Sequence, residues 1–354
     1  MNFLDYIKNN KIVGLAPMDG YTDEPARLLQ DKIAKPDVIF TEFVCAEGLS
    51  RGSEKLFDPL LYSNIEHPIV AQLFGKDPDS FYKSAVICFE LGFDGVDINM
   101  GCPANKVVRH GGGASLIDTP IAFELIKVIL QARQDWSEGR VNIKDIDLKK
   151  KSLLKFEKVL EYCQYKRVKQ WPTVSVKTRL GIDSDISQKW IGELAKTGID
   201  LISLHGRTLK QGYAGKANWK AIKKVSILAK KINPKIVFWG NGDIENRQMA
   251  IDYIDKYQID GVLIGRSSVG NPWVFEEKER QIDVGEKYQA LLLHAQIFAN
   301  VFPKRSLEHL RSKLLAYSKN LRKAKYLRKK LVGVVNITDL ENLEEDFLEA
   351  DFKN

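Results

Sequence analysis

Eight short β-branched or apolar runs, separated by helix-sized segments, constrain this chain more than any other feature. They are Ile12–Met18, Asp37–Glu42, Pro68–Phe74, Gly95–Asn99, Thr173–Arg179, Leu201–His205, Lys235–Gly240 and Gly261–Gly265, each bounded by Gly, Pro or charge. Helical patterns lie between most of them, at Asp79–Leu91, Pro120–Arg133, Ser187–Lys196, Trp219–Lys230 and Asn246–Lys256. Strands and helices alternating in this way build a parallel sheet, and eight is the number at which such a sheet closes on itself. The expected fold is therefore α/β, a (β/α)8 TIM barrel over residues 1–275 followed by a small C-terminal helical bundle over 276–354. A hydrophobic fraction of 44% with 28% charged residues supplies the core this needs and excludes disordered, collagen-like and coiled-coil chains.

Two segments break the rhythm. Residues 134–170 read as an insertion with ten Lys or Arg between Arg140 and Lys169, helical from about Leu153 to Tyr165. Its basic character reads first as a solvated face on the helical shell, away from the active mouth, with an RNA-facing surface as the lesser reading. After Pro272 the pattern turns helical. The uncharged stretch Tyr288–Pro303 is 16 residues, short of the ~20 that a bilayer span needs, and predicts a packed helix with no membrane role. Leu307, Leu310, Leu314, Tyr317 and Leu321 then form an amphipathic stripe with Ser306 as its N-cap. The other faces carry Lys304, Arg305, Arg311, Lys313, Lys319, Arg322, Lys323, Arg328, Lys329 and Lys330, a basic edge; Asp339–Asp351 is acidic and is expected to fold back or fray. The net charge of +8 suits a polyanionic partner without requiring one. Four cysteines without a Cys-x-x-Cys pair predict neither disulfides nor a zinc site, hence no metal and a reducing cytoplasmic setting.

In barrels of this kind the C-terminal strand ends build the active site. Here those ends carry Met18, Glu42, Gln72, Asn99 followed by Cys102, Lys177 with Arg179, His205, Asn241 with Asp243, and Gly265 with Arg266. Gly240-Asn241-Gly242-Asp243 and Gly265-Arg266 follow the last two strands, where barrels hold phosphate on backbone N–H groups, and Arg266 adds a charge-assisted contact. Lys177 and His205 aim donors into the same mouth, as the pyrimidine edge of a reduced flavin requires, and Gln72 adds an amide. Cys102 sits directly after a strand end, between Asn99 and a glycine cluster, Gly111-Gly112-Gly113. A thiol with a reference pKa of ~8.5 is mostly protonated at neutral pH and can donate its proton; a depressed one would be a nucleophile.

These residues resemble the tRNA-dihydrouridine synthases, a family of FMN-dependent barrels that reduce the C5–C6 double bond of particular uridines in tRNA. The matching segments are Leu15-Ala16-Pro17-Met18-Asp19-Gly20, Thr41-Glu42-Phe43, Asn99-Met100-Gly101-Cys102-Pro103 with Lys106, Ser175-Val176-Lys177-Thr178-Arg179-Leu180-Gly181, His205-Gly206-Arg207-Thr208, Gly240-Asn241-Gly242-Asp243 and Ile264-Gly265-Arg266. The resemblance implies that Cys102 protonates uracil C5 while reduced flavin delivers hydride to C6. It places Pro17, Met18, Gln72, Lys177 and His205 around the flavin ring, and Asn241, Gly242, Asp243, Gly265 and Arg266 at its phosphate end. Asn99 would orient the uracil edge. Lys106, Arg311, Arg322, Lys323, Arg328 and Lys329 would meet tRNA. The implied reductant is NADPH or NADH, bound transiently, and the expected protein is a monomer.

Two other readings share most of these features. One is an FMN barrel in which a loop cysteine or serine acts on a free pyrimidine, as in dihydroorotate dehydrogenases; it needs no basic helical domain, and the Asn99–Pro103 loop and the basic tail favour tRNA instead. The other is a tRNA-binding flavoprotein without turnover, against which Cys102, Lys177 and His205 stand intact.

Overall fold

All eight runs form strands: β1 (Ile12–Leu15), β2 (Ile39–Cys45), β3 (Ile69–Phe74), β4 (Gly95–Met100), β5 (Thr173–Arg179), β6 (Leu201–His205), β7 (Val237–Asn241) and β8 (Gly261–Ile264). A computed structural model of the protein describes residues 2–164 and 171–350. The strands pair in parallel in chain order, and β1 closes on β8 with Ile12 opposite Gly261 and Leu15 opposite Ile264. The helices are α1 (Phe3–Asn9), α2 (Glu24–Ile33), α3 (Ala46–Ser50), α4 (Pro78–Glu90), α5 (Asn105–Arg109), α6 (Pro120–Ser137), α7 (Lys150–Cys163), α8 (Ser187–Leu194), α9 (Trp219–Ile232) and α10 (Arg247–Tyr257) around the barrel. Beyond it lie α11 (Val284–Val301), α12 (Arg311–Ala316), α13 (Ala324–Leu331), α14 (Ile337–Glu341) and α15 (Glu344–Leu348). Sequence periodicity missed α2, whose signal is local: Asp23 accepts from the Ala26 N–H at 3.3 Å and Pro25 sits in the first turn.

Side chains alternate across a strand, so each strand sends one set outward to the helices and one set inward. Val13, Leu15, Val96, Ile98, Val174, Val176, Ile202 and Leu204 pack in the large outer core. Ile12, Val38, Phe40, Val70, Leu201, Val237 and Trp239 form a second, inner cluster with Phe3 and Ile7 of α1, which plugs the N-terminal end of the barrel. Burying a side chain of this size contributes about 1.5–3 kcal/mol relative to exposing it. One register irregularity interrupts the alternation: Phe40 lies opposite Val70, yet Phe43 lies opposite Gln72, so β2 carries an extra residue there. This bulge turns Phe43 toward the barrel mouth.

The insertion behaves differently from expectation. Its helix starts earlier, at Lys150, and packs beside the 3-10 segment Glu54–Leu60, where the β2–β3 connection has no long helix of its own. Ser152 Oγ donates to Gly52 O at 2.6 Å, Lys155 pairs with Asp58 at 2.6 Å, and Tyr162 donates to Glu24 Oε1 at 2.6 Å. The insertion thus climbs the barrel wall to the loop after β2 instead of staying remote from the mouth. Residues 165–170, with Lys166, Arg167 and Lys169, lie outside the described residues.

The helical part also departs in detail. The stripe from Leu307 to Leu321 is buried throughout, but as a 3-10 turn, the short α12 and a turn at Asn320, not one helix. Ser306 occupies the N-cap position without capping by its side chain, because its hydroxyl donates to Glu308. Lys313 leaves the basic edge altogether: it is buried and ion-paired with Asp23. Leu29 of α2 joins the core of the helical part, which fixes that part to the first βα unit. The acidic segment folds back, with Glu349 on Lys323 at 2.8 Å and Asp346 on Lys330 at 2.5 Å; Asp351 lies outside the described residues.

Where α7 meets α2, two buried carboxylates face one guanidinium. Arg27 pairs with Glu66 at 2.8 Å, and both are fully buried. Glu24, also fully buried, keeps only the Tyr162 hydroxyl on one oxygen, while the other has no partner. Burial, then the Glu66 charge, pushes its pKa up to about 7. The folded protein therefore holds a proton that the unfolded chain releases near pH 4–5. The stability this contributes is full below that pH and is lost as pH rises through about 7. Glu24→Gln is expected to stabilise the fold at pH 8 by on the order of 1–3 kcal/mol and to give no gain at pH 4. Urea unfolding at the two pH values measures this; an equal effect at both would contradict the assignment.

Candidate active site

Above the apolar inner cluster the same inward positions become polar, and the loops beyond them enclose a cleft of about 770 Å³. Pro17, Met18, Leu263 and Gly265 form an apolar bed on one side, while Gln72, Asn99, Cys102, Lys177 and His205 face it. Asn241, Gly242, Asp243 and Arg266 close one end. The barrel residues expected at the site line this cleft except Glu42, which accepts from the Gly20 N–H at 2.6 Å, and Lys106, which is exposed on α5. Arg311, Arg322, Lys323, Arg328 and Lys329 lie on the helical part outside its lining.

A buried hydrogen-bond chain builds the reactive loop. Ser175 donates to Asp97 at 2.6 Å and Gln72 Nε2 donates to the other Asp97 oxygen at 2.7 Å. Asn99 Nδ2 donates to Gln72 Oε1 at 2.9 Å, and Asn99 Oδ1 accepts from the N–H groups of Gly101 at 3.1 Å and Cys102 at 2.9 Å. Asn99, expected at the uracil edge, thus commits its carbonyl oxygen to holding the thiol in place. Arg179 donates Nε to Gly101 O at 2.6 Å from the other side. Gly113, at φ +62°, lets the chain turn back so that a Cβ there would sit 2.8 Å from Cys102 O. Burial raises the Cys102 thiol above its ordinary pKa, so it stays protonated at neutral pH. Burial likewise raises Asp97, to about 6.

Cations dominate the facing wall. Lys177 donates to Asn241 Oδ1 at 3.2 Å, and Asn241 Nδ2 donates to Leu263 O at 2.8 Å. Burial, then Arg179, lowers Lys177 to about 8. His205 is lowered further, to about 2, by burial and by Lys177, Arg179, Arg207 and Arg266, so its imidazole is neutral. Arg207 Nη1 lies 3.3 Å from His205 Nε2, and a guanidinium only donates. The ring proton is therefore on Nδ1. Arg207 also spans both Asp243 oxygens at 2.8 and 2.7 Å. Asp243 accepts from Arg266 at 3.0 Å and from the Ala217 N–H at 2.7 Å. Although burial pushes it up, the Ala217 N–H and Arg207 hold its carboxyl below the usual range. Asp243 thus clamps two arginines, and Arg266 stacks 4.6 Å over the Tyr213 ring.

This donor set fits a flavin mononucleotide. Gly242, at φ +126°, has a backbone that only glycine adopts readily, and a Cβ there would sit 2.7 Å from Ala217 Cβ and 3.0 Å from the His205 ring. A Cβ on Gly265 would stand in ordinary contact with Met18 Sδ, at 3.5 Å. The two glycines border a space beside Arg266 along the apolar bed, and the Lys177 ammonium, held by Asn241, projects into the same cleft. Arg207, Tyr213, Ala316 and Lys319 were not expected in this assembly, whereas Arg179, expected at its strand end, lines the cleft. Arg207 follows His205 by two residues, a spacing that could have indicated the pair. Ala316 and Lys319 reach the cleft from the helical part, which nothing in their local sequence signals.

Comparison with known proteins gives a consistent result. The model of one family, dihydrouridine synthase, matches residues 14–163 and 152–352. A Staphylococcus aureus protein named "Probable tRNA-dihydrouridine synthase" is 32% identical over 340 residues, spanning 94% of this chain and 92% of the relative. A Bacillus subtilis protein named "Probable tRNA-dihydrouridine synthase 2" is 30% identical over 339 residues, spanning 94% and 93%. Among the described residues, no group of His, Cys, Asp and Glu could hold a metal ion and no helix is long and apolar enough to cross a membrane.

With its pKa near 2, His205 is expected to stay neutral from pH 5 to 8, with its proton on Nδ1. Long-range nitrogen–proton NMR of the imidazole reads both; titration of that ring near its reference value of ~6.5 would contradict the arrangement.

Proposed function

The chain belongs to the dihydrouridine synthase family, and on that premise we propose that it reduces the C5–C6 double bond of specific uridines in tRNA, with FMN in the cleft and NADPH as the reductant. The observation that carries this reading is Cys102, fixed at the mouth by Asn99 and kept protonated by burial, opposite a cleft that fits a flavin. When bound, FMN supplies the hydride that saturates C6.

The protein's own residues do the rest. Pro17, Met18 and Gly265 give the flavin ring an apolar bed; Lys177 and the Nδ1–H of His205 offer donors to its pyrimidine edge. Gln72 shares the ring wall, although Asp97 and Asn99 take up much of its amide. Asn241 orients Lys177, and Gly242, Gly265 and Arg266 hold the phosphate, with Asp243 aligning Arg266. Cys102 Sγ holds a proton and releases it to uracil C5, with Asn99 setting the height of the sulfur. Arg179 and Lys177 favour the thiolate that is left.

A uridine inside folded tRNA must be splayed out to reach this depth. The barrel thus serves as the catalytic part and residues 276–354 as the part that grips RNA, where Arg311, Arg322, Arg328 and Lys329 meet phosphates alongside Lys106 of the barrel. Lys323 contributes less, because Glu349 already occupies it. One chain suffices, since Ala316 and Lys319 complete the cleft in cis, and a monomer is the state proposed. Four free cysteines and a tRNA substrate suit the cytoplasm.

Incubating the purified protein with unmodified tRNA and NADPH, then digesting the RNA, should yield uridine heavier by two hydrogens in mass spectrometry. Cys102→Ala is expected to lower that yield by about 10²-fold or more with bound flavin and tRNA affinity retained. Turnover at the parental rate would remove Cys102 from its role. Replacing Arg322, Arg328 and Lys329 with Ala should weaken tRNA binding and flatten its salt dependence while FMN stays bound. An unchanged salt slope would remove that edge from the interface.

A further inference from the structure

We propose that the insertion carries a second binding surface for the tRNA phosphate backbone, formed by Arg51 and by Lys149, Lys150 and Lys151 at the start of α7. The partner named here rests on the tRNA reading above. The first observation is position. A continuous train of contacts leads from the reactive loop to these lysines. Gly113 packs on Cys102, and the adjoining Gly112 lies against Gly75, where a Cβ would meet the backbone N at 3.1 Å. Next, Glu47 Oε1 accepts from the Lys76 N–H at 2.7 Å, and Arg51 Nε donates to Glu47 O at 2.6 Å. Beside Arg51, Ser152 of α7 donates to Gly52 O at 2.6 Å. The lysines therefore stand at the same end of the barrel as the catalytic mouth, beside the loop after β2.

The second observation is charge. Arg51, Lys149, Lys150 and Lys151 line one open groove with a single carboxylate, Glu54. Among the described residues, none of these four cations has a carboxylate within 4.0 Å, whereas Lys155 farther along α7 pairs with Asp58 and Lys189 on α8 pairs with Asp118. The third is helix physics. The positive end of the helix dipole disfavours cations, yet α7 begins with three lysines and no acid in its first turn. Its own stability does not account for them, and a local rule broken in this way marks a functional surface. This surface lies within reach of an extended RNA whose base enters the cleft at the same end of the barrel, and its phosphates are the anion that four unpaired cations fit.

The test compares flavin-loaded wild type with K149E/K150E/K151E and K149Q/K150Q/K151Q. tRNA affinity is followed between about 50 and about 200 mM salt, and dihydrouridine formation by mass spectrometry. Both variants are expected to bind tRNA about tenfold or more weakly, with a log–log salt slope shallower by about 2–3, and to keep their flavin. The Glu variant should melt at the same temperature or higher, because acids suit a helix N-terminus; weaker binding then cannot be blamed on misfolding. An unchanged slope in both variants, with dihydrouridine still formed, overturns this surface and leaves the enzymatic reading standing. If wild type binds tRNA through these lysines but forms no dihydrouridine, the enzymatic reading falls and the surface stands. If wild type does not bind tRNA, both fall.

Discussion

The two-residue period of a β-strand, applied eight times around a closed barrel, is the constraint on which this structure depends. Because closure fixes which face of each strand is inside, a single choice of register sorts the whole molecule. Odd and even positions separate the helix-facing core from the interior, and along the interior the height of a residue decides its role. Low positions such as Phe40, Leu201 and Trp239 are apolar and close over α1; high positions such as Gln72, Asn99, Lys177 and His205 are polar and open to the cleft. A slip of one residue would exchange these sets. The β2 bulge is the place where the protein uses such a slip, and it turns one aromatic ring, Phe43, into the mouth.

Polar groups inside a barrel are costly unless each is satisfied, and the interior answers this with chains of partners. Asp97 never touches the cleft, yet through Gln72 and Asn99 it sets the position of the Cys102 loop. On the other wall Asp243 gathers Arg207 and Arg266, and Arg207 in turn fixes the proton on His205. The result is a cleft in which cations outnumber carboxylates, with Lys177, Arg179, Arg266 and Lys319 against Asp19 and Asp243. Burial first, and then the neighbouring cations, depress His205 and Lys177. Such a site is preorganised for electron-rich, anionic contents.

The fold was legible because the strand runs are long enough to show against the helical segments between them. The barrel portion of the site was legible for the same reason: residues at strand ends inherit their direction from the strand. What stayed hidden depends on contacts between distant segments. Lys313 looked like any surface lysine until Asp23 of the first βα loop met it. Lys319 reaches the cleft only because Leu29 and its neighbours seat the helical part on α2. The insertion seemed remote because its flanking elements place it at the barrel's other end; the missing helix between β2 and β3 left a gap that α7 fills. Periodicity showed a single helix from Leu307 to Leu321, yet a left-handed turn at Asn320 breaks it.

The acidic segment folded against α13 has an effect beyond tying down the chain end. Glu349 and Asp346 cancel Lys323 and Lys330, while Arg322, Arg328 and Lys329 remain exposed. A uniformly positive edge would attract a polyanion in any orientation. With one flank neutralised, the free positive charge is confined to the side carrying Arg322, Arg328 and Lys329, so the edge has a direction. The tail thereby narrows a broad basic surface to a one-sided one.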